Sequence, residues 1–213
     1  MTTRVKICGI TDEDDLAIAI TAGADAIGVI SAVPVDTPRS IAPEQAVRLV
    51  DAVPPFVTSV LVTMPESETD VLELADRIGP DIIQVHGDVR TETLEAISAQ
   101  AAVIRAVASG EAEMIEAARP FVDALLLDSV DERGAGGTGE THDWNAARDW
   151  VKSLSVPVIL AGGLTPDNVQ EAINEVNPYA VDVASGVENA AGKEAAAVNR
   201  FIAAVRKANG GTT

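Results

Sequence analysis

Arg4-Val5-Lys6-Ile7-Cys8-Gly9-Ile10-Thr11 is the stretch that decides the fold. A β-like run ends on a cysteine, and the chain turns at once through glycine toward Thr11-Asp12, which opens a helix. The same grammar returns at Ala124-Leu125-Leu126-Leu127-Asp128, where the apolar run ends on a carboxylate. Two later apolar runs, 156–161 and 180–184, end instead in Gly162-Gly163 and Ser185-Gly186. A thiol, a carboxylate and two glycine turns at C-terminal strand ends is the arrangement by which a (β/α)8 (TIM) barrel presents its chemistry. The placement points to an enzyme.

Working outward, apolar or β-branched runs recur at 4–8, 25–30, 56–62, 81–85, 102–107, 122–128, 156–161 and 179–184. They are continuous rather than alternating, as parallel strands covered on both faces require. Helices are expected near 12–22, 43–52, 67–78, 91–99, 111–118, 143–153, 166–176 and 193–208. Thr11-Asp12, Ala42-Pro43-Glu44, Thr91-Glu92 and Thr165-Pro166-Asp167 supply capping side chains or first-turn prolines, and Gly23, Gly79 and Gly110 mark stops or turns. A doubly wound open sheet is the structural competitor. The barrel is favoured because site-like residues follow both the first and the last strands, whose ends only closure brings together. The expected layout is a single α/β barrel domain over residues 1–208, with 209–213 as a frayed tail. Two βα connections are long: 31–42, with Pro34, Pro38 and Arg39, and 129–142, which carries four glycines and reads as a lid or substrate loop.

The chain has 213 residues, 47% of them hydrophobic, enough for one full-sized core. One cysteine excludes an internal disulfide and fits a reducing compartment. The N-terminus enters a strand without a signal-like apolar stretch, and no run reaches membrane-spanning length, so a cytoplasmic protein is expected. There are 33 acidic against 15 basic residues, a net charge of −18, and only four lysines. No basic patch is available for nucleic acid. Carboxylates spread over helix faces rather than massed in a tail suit a cell interior at molar salt, where a Debye length of about 3 Å screens their repulsion. A halophile enzyme is expected.

Taken one by one, the candidate residues keep two readings. Cys8 is either a small buried hydrophobe or a thiolate stabilised by the helix start beside it. Asp128 caps a turn or pairs with an arginine; alternatively it is a carboxylic acid in an apolar-walled cavity, raised toward an acid-competent state. Arg39 makes a surface ion pair or clamps a substrate carboxylate. His86 reads as structural, with a hydrogen bond at the pocket floor, and His142 as bland. Glycines 162, 163 and 186 with Ser185 aim backbone N–H groups at an anion, and a phosphate is the expected occupant. No metal-ligand spacing and no Rossmann or Walker pattern occurs.

With these residues placed, the chain resembles the phosphoribosylanthranilate isomerase family of tryptophan biosynthesis. The likeness runs from Val5-Lys6-Ile7-Cys8-Gly9-Ile10-Thr11 to Val181-Asp182-Val183-Ala184-Ser185-Gly186-Val187-Glu188. Between them it takes in Pro38-Arg39, Gln84-Val85-His86-Gly87, Leu126-Leu127-Asp128-Ser129, Gly136-Gly137-Thr138-Gly139 with Asp143-Trp144, and Ala161-Gly162-Gly163-Leu164. The resemblance implies a TIM barrel that performs an Amadori rearrangement without a cofactor. It makes Cys8 the general base, Asp128 the general acid and Arg39 the holder of the anthranilate carboxylate. Gly163 and Ser185-Gly186, helped by Gly139, would hold the phosphate. Glu140 stands where the family often has a basic residue, His142 where it has an aromatic, and the stretch 30–37 lacks the usual aromatic. The resemblance leaves open the role of Asp182 and whether the chain is a monomer or a homodimer. Other sugar-phosphate barrels fit less well: an indoleglycerol-phosphate synthase relies on strand-end lysines, of which only Lys6 lies in an expected strand, and an aminoimidazole ribotide isomerase has an aspartate in place of Cys8. A phosphate-sensing barrel would not need the Cys8–Asp128 pair.

Overall fold

The computed structural model describes residues 2–128 and 144–210. Parallel strands β1 (Arg4–Cys8), β2 (Ala26–Ile30), β3 (Thr58–Thr63), β4 (Ile82–Val85), β5 (Ala102–Ala108), β6 (Ala124–Asp128), β7 (Val158–Leu160) and β8 (Ala180–Val183) pair in sequence order. The sheet closes because β8 returns to β1, with Lys6 opposite Asp182 and Ile7 opposite Val183. That pairing excludes the open sheet. The helices are α1 (Glu13–Ala22), α2 (Pro43–Asp51), α3 (Glu68–Ile78), α4 (Thr91–Ser98), α5 (Ala112–Ala118), α6 (Trp144–Ser153), α7 (Val169–Val176) and α8 (Ala195–Ala208).

Local signals work as read at several ends. Asp12 caps α1 by accepting from the Asp15 N–H at 2.8 Å, Pro43 opens α2, and Gly23 and Gly79 close α1 and α3 in left-handed conformations. Elsewhere tertiary contacts move the boundary. The segment 166–168 is a turn, not helix: Asn168 accepts from the Thr165 N–H at 2.8 Å and donates to the Gly163 carbonyl at 2.9 Å, so α7 waits until Val169. At Thr91 no side-chain cap forms; it is the first helical residue, after Arg90. The start of α8 falls at Ala195, because a short antiparallel ribbon of β9 (Glu188–Asn189) and β10 (Gly192–Lys193) precedes it. Asn209, expected in a frayed tail, exchanges two hydrogen bonds with the Thr3 backbone at 2.9 and 3.0 Å and so anchors the entry to β1.

Two apolar layers hold the barrel. Val5, Ile7, Ile27, Leu61, Ile83, Val103, Leu125 and Val181 face outward and pack against helix residues such as Leu16, Leu49, Ile97 and Phe201. The other strand face, with Val60, Val62, Ile104, Ala106, Ala124, Leu126, Ile159, Ala161 and Ala180, fills the interior. Three aspartates seal the N-terminal rim. Asp25, Asp81 and Asp123 each stand just before an even-numbered strand and accept the backbone N–H of Val5, Ser59 and Val103 at 2.7–2.8 Å. Part of the acidic excess is therefore structural, and it sits on the face that reads as stability rather than chemistry.

Candidate active site

Alternation along the strands decides which side chains enter the barrel. On β1, Val5 and Ile7 point to the helices, so Lys6 and Cys8 point inward. On β6, Ala124 and Leu126 belong to the interior, and Asp128 continues that face at the strand's C-terminal end. Cys8 and Asp128 thus share one parity at the same end of one closed barrel. Cys8 is buried, and Asp128 is half-buried.

The surroundings of Cys8 are ionic. Lys6 Nζ donates to Asp182 Oδ1 at 2.9 Å, and both side chains are buried, 4% and 9% exposed. Gly28, opposite Cys8 on β2, makes the room: a Cβ there would lie 2.9 Å from the Cys8 sulfur and 3.1 Å from Lys6 Nζ. Burial pushes the Cys8 thiol up; Lys6 opposes this, Asp182 adds to it, and Lys193 opposes more weakly. The first turn of α1 carries Glu13, Asp14 and Asp15, and the side-chain charge that most opposes the burial of the thiol is the Lys6 ammonium on its own strand.

Burial also works against the charge on Lys6, yet Asp182 and the neighbouring sulfur hold its pKa above the ordinary lysine value.

Arg39, from the long loop after β2, lays its stem across Gly9; a Cβ on Gly9 would meet Arg39 Cδ at 2.7 Å. Its guanidinium does not end in solvent. Nε donates to both Glu188 carboxylate oxygens at 3.1 and 3.0 Å, and Nη2 to Oε2 at 2.7 Å. Hydrogen bonding to Glu188 holds the Arg39 pKa up, and although burial works against its charge, Arg39 and Lys193 hold the Glu188 carboxyl below its usual range. Lys193 is fully buried; its Nζ donates to the Cys8 carbonyl at 2.5 Å and to Glu188. It ties the ends of β1 and β8 to the ribbon, whose Lys193 N–H is in turn accepted by Asp15 at 2.7 Å.

Sequence reasoning missed both Glu188 and Lys193. In the expected helix over 193–208, Lys193 would be one more solvated cation. The available signal was the scarcity of lysine: two of four are spent against Cys8.

The two glycine turns meet at the same end of the barrel. Gly162 and Gly163 have φ of +84° and +61°, values that L side chains rarely adopt. Ser185-Gly186-Val187 forms a 3₁₀ turn after β8. A Cβ at Gly186 would lie 1.9 Å from the Leu164 carbonyl oxygen, so the second turn packs directly on the first. The N–H groups of Gly162 and Gly163 donate to no acceptor among the described residues. Gly139, the further expected phosphate contact, and Glu140 and His142 lie outside the described residues.

His86 follows β4, its ring Nε2 2.7 Å from Gln84 Nε2. Burial, with Lys6 and Arg105 nearby, lowers its pKa to about 4. Arg105 is buried on the outer side of β5 and donates to the Val85 and Gly87 carbonyls at 3.0 and 2.5 Å, fixing the backbone on both sides of His86.

A family model for N-(5'-phosphoribosyl)anthranilate (PRA) isomerase matches residues 5–204. Proteins named N-(5'-phosphoribosyl)anthranilate isomerase are similar along nearly the whole chain. That of Haloferax volcanii is 52% identical over 210 residues, covering 98% of this chain and 95% of its own. That of Haloarcula marismortui is 53% identical over 208 residues, with 97% of each chain covered. Among solved structures, phosphoribosyl anthranilate isomerase from Thermotoga maritima superposes with a TM-score of 0.85 at 35% identity, covering 98% of this chain and 99% of that one. A second, solved in complex with reduced 1-(o-carboxyphenylamino)-1-deoxyribulose 5-phosphate, has a TM-score of 0.82 at 33% identity, with 98% and 99% covered.

Proposed function

The chain belongs to the N-(5'-phosphoribosyl)anthranilate isomerase family, and on that premise we propose how its barrel mouth carries the reaction. The activity is the aldose–ketose (Amadori) rearrangement of tryptophan biosynthesis, N-(5-phosphoribosyl)anthranilate to 1-(2-carboxyphenylamino)-1-deoxyribulose 5-phosphate. Asp128 is the general acid: it protonates the ribose ring oxygen, and the ring opens to a Schiff base. Cys8 is the general base: as thiolate it removes the proton from C2 of the sugar, and the resulting enolamine tautomerises to the ketone. The substrate's own nitrogen is the electron sink, so the sequence calls for no cofactor.

The observation that carries this reading is the shared parity of Cys8 and Asp128 at the C-terminal ends of β1 and β6 in one closed barrel. Arg39 holds the anthranilate carboxylate. Glu188 occupies the Nε–Nη2 edge of its guanidinium, and the edge carrying Nη1, which has no partner among the described residues, faces the substrate. The phosphate sits on the backbone N–H groups of Gly162, Gly163, Ser185 and Gly186, with Gly139 from the long loop. The setting proposed is a cytoplasm at high salt: the relatives that are about 50% identical come from Haloferax, Haloarcula and Halobacterium. The partner is a phosphorylated small molecule, and no helix among the described residues is long and apolar enough to cross a membrane.

The decisive assay generates the labile substrate in place. Anthranilate, phosphoribosyl pyrophosphate and the upstream transferase produce the fluorescent intermediate, and this protein at molar salt should accelerate its disappearance. Loss at the spontaneous rate only would end the assignment of turnover to this site.

A further inference from the structure

Cys8 is buried, and burial by itself makes a thiol a poor base at neutral pH. The interior of the barrel holds one arrangement that answers this, and the mechanism above does not use it. Lys6 lies two residues before Cys8 on the same inward face. Asp182, opposite Lys6 in the strand pairing that closes the barrel, fixes its ammonium at 2.9 Å. Gly28 leaves a pocket into which the Lys6 and Cys8 side chains both reach, each within 3.1 Å of the point where a Cβ would be.

We propose that Lys6, held by Asp182, is the positioning residue that supplies the counter-charge for the Cys8 thiolate and so keeps the buried sulfur available in its ionised, base-competent form at working pH. The inference rests on Cys8 as the base. It assigns a role to the ion pair beneath it.

The charged groups facing Cys8 make the balance explicit: Lys6 on its own strand, Asp182 on β8, Lys193 on β10, and Arg39 across Gly9, with Glu188 between the last two. Lys193 and Arg39 share Glu188, and Lys193 reaches the Cys8 backbone carbonyl; Lys6 alone has its ammonium inside the barrel beside the sulfur. Ionising the thiol adds one negative charge to a buried Lys6–Asp182 pair that is neutral overall. Without Lys6 the same step piles a second negative charge on Asp182. Without the Asp182 carboxylate it neutralises an ammonium. The two deletions therefore act in opposite directions, which a merely structural ion pair would not produce.

The chain's single cysteine makes the test direct, since alkylation of the folded protein by iodoacetamide reports on Cys8 alone. In Lys6→Met, alkylation at neutral pH should slow by about tenfold or more and recover as pH rises. In that variant kcat should fall in parallel at neutral pH and KM should change little. In Asp182→Asn alkylation should instead quicken at neutral pH. The double variant Lys6→Met/Asp182→Asn removes both charges without leaving either one buried alone, and its rate should fall between the two. If Lys6→Met is too unstable to study, the double variant compared with Asp182→Asn gives the Lys6 effect. Unchanged alkylation, or slowing in both single variants, overturns the proposal. Should alkylation shift as expected while kcat does not follow, Lys6 still tunes the thiol and the assignment of Cys8 as base is what fails.

Discussion

Glu188 grips Arg39 along one edge of the guanidinium, with Nε 3.1 and 3.0 Å from its two oxygens and Nη2 2.7 Å from Oε2. An arginine held this way is fixed in plane and direction before any ligand arrives. Glu188 is itself pinned by the buried Lys193. Arg39, the proposed carboxylate clamp, is thus one end of a polar chain that runs through Glu188 and Lys193 to the Cys8 carbonyl.

Arg39→Ala should raise KM by about tenfold or more with a smaller change in kcat, because it removes binding rather than proton transfer. Glu188→Gln should raise KM less, by about threefold to tenfold. It should also cost about 1.5 to 3 kcal/mol of stability, since a buried lysine loses its carboxylate. Steady-state kinetics and thermal melts separate the two effects, and an unchanged KM in both variants would contradict the clamp.

Cys8→Ala and Asp128→Asn should each lower kcat by about a hundredfold or more while KM stays near its original value. The double variant should lose much less than the product of the single losses, because a base and an acid that serve one rearrangement act as a unit. A near-normal rate in either single variant reassigns that role.

His86 carries a pH signature. The folded state depresses its pKa from 6.5 to about 4, so the unfolded chain takes up a proton first as pH falls. The contribution of His86 is complete above the unfolded value and is lost as pH drops from about 6.5 toward 4. Between about pH 6.5 and 5, before most carboxylates titrate, the protein should lose about 1 to 2 kcal/mol more than His86→Gln does. Parallel stability curves for the two proteins would remove His86 as the cause.

A salt requirement is predicted from where the cations are used. Lys6 inside the barrel, and Lys193 and Arg39 at its mouth, are committed to carboxylates, and the 33 acidic residues face only 15 basic ones overall. Lowering salt from about 1 M to 0.01 M lengthens the Debye screening distance from about 3 to 30 Å, which restores the surface repulsion. Circular dichroism should show unfolding over that range, reversible on adding salt; a constant spectrum would refute the halophilic reading.

Much of the fold was legible because the barrel repeats one local rule. Apolar runs separated by capped helices place all eight strands, and their ends need no long-range information beyond alternation. The errors fall where tertiary contacts compete with local ones. The side chain of Asn168 stops α7 from starting early by holding the turn at Gly163. Asp15 captures the Lys193 N–H and holds that residue in the β9–β10 ribbon before α8 can begin. Arg39 was readable as important from the rarity of cations, but its partner, 149 residues away, was not.

The sequence by itself determined the period of the fold and the strand ends that carry a thiol, a carboxylate and glycine turns. These follow from composition and spacing, which act locally. The charge environment was decided only by closure of the barrel. It sets Asp182 of the last strand against Lys6 of the first, and it brings the β9–β10 ribbon over the Cys8 backbone. Electrostatic coupling depends on distance through space, and residues 6 and 182 are neighbours only once the eighth strand has hydrogen-bonded to the first.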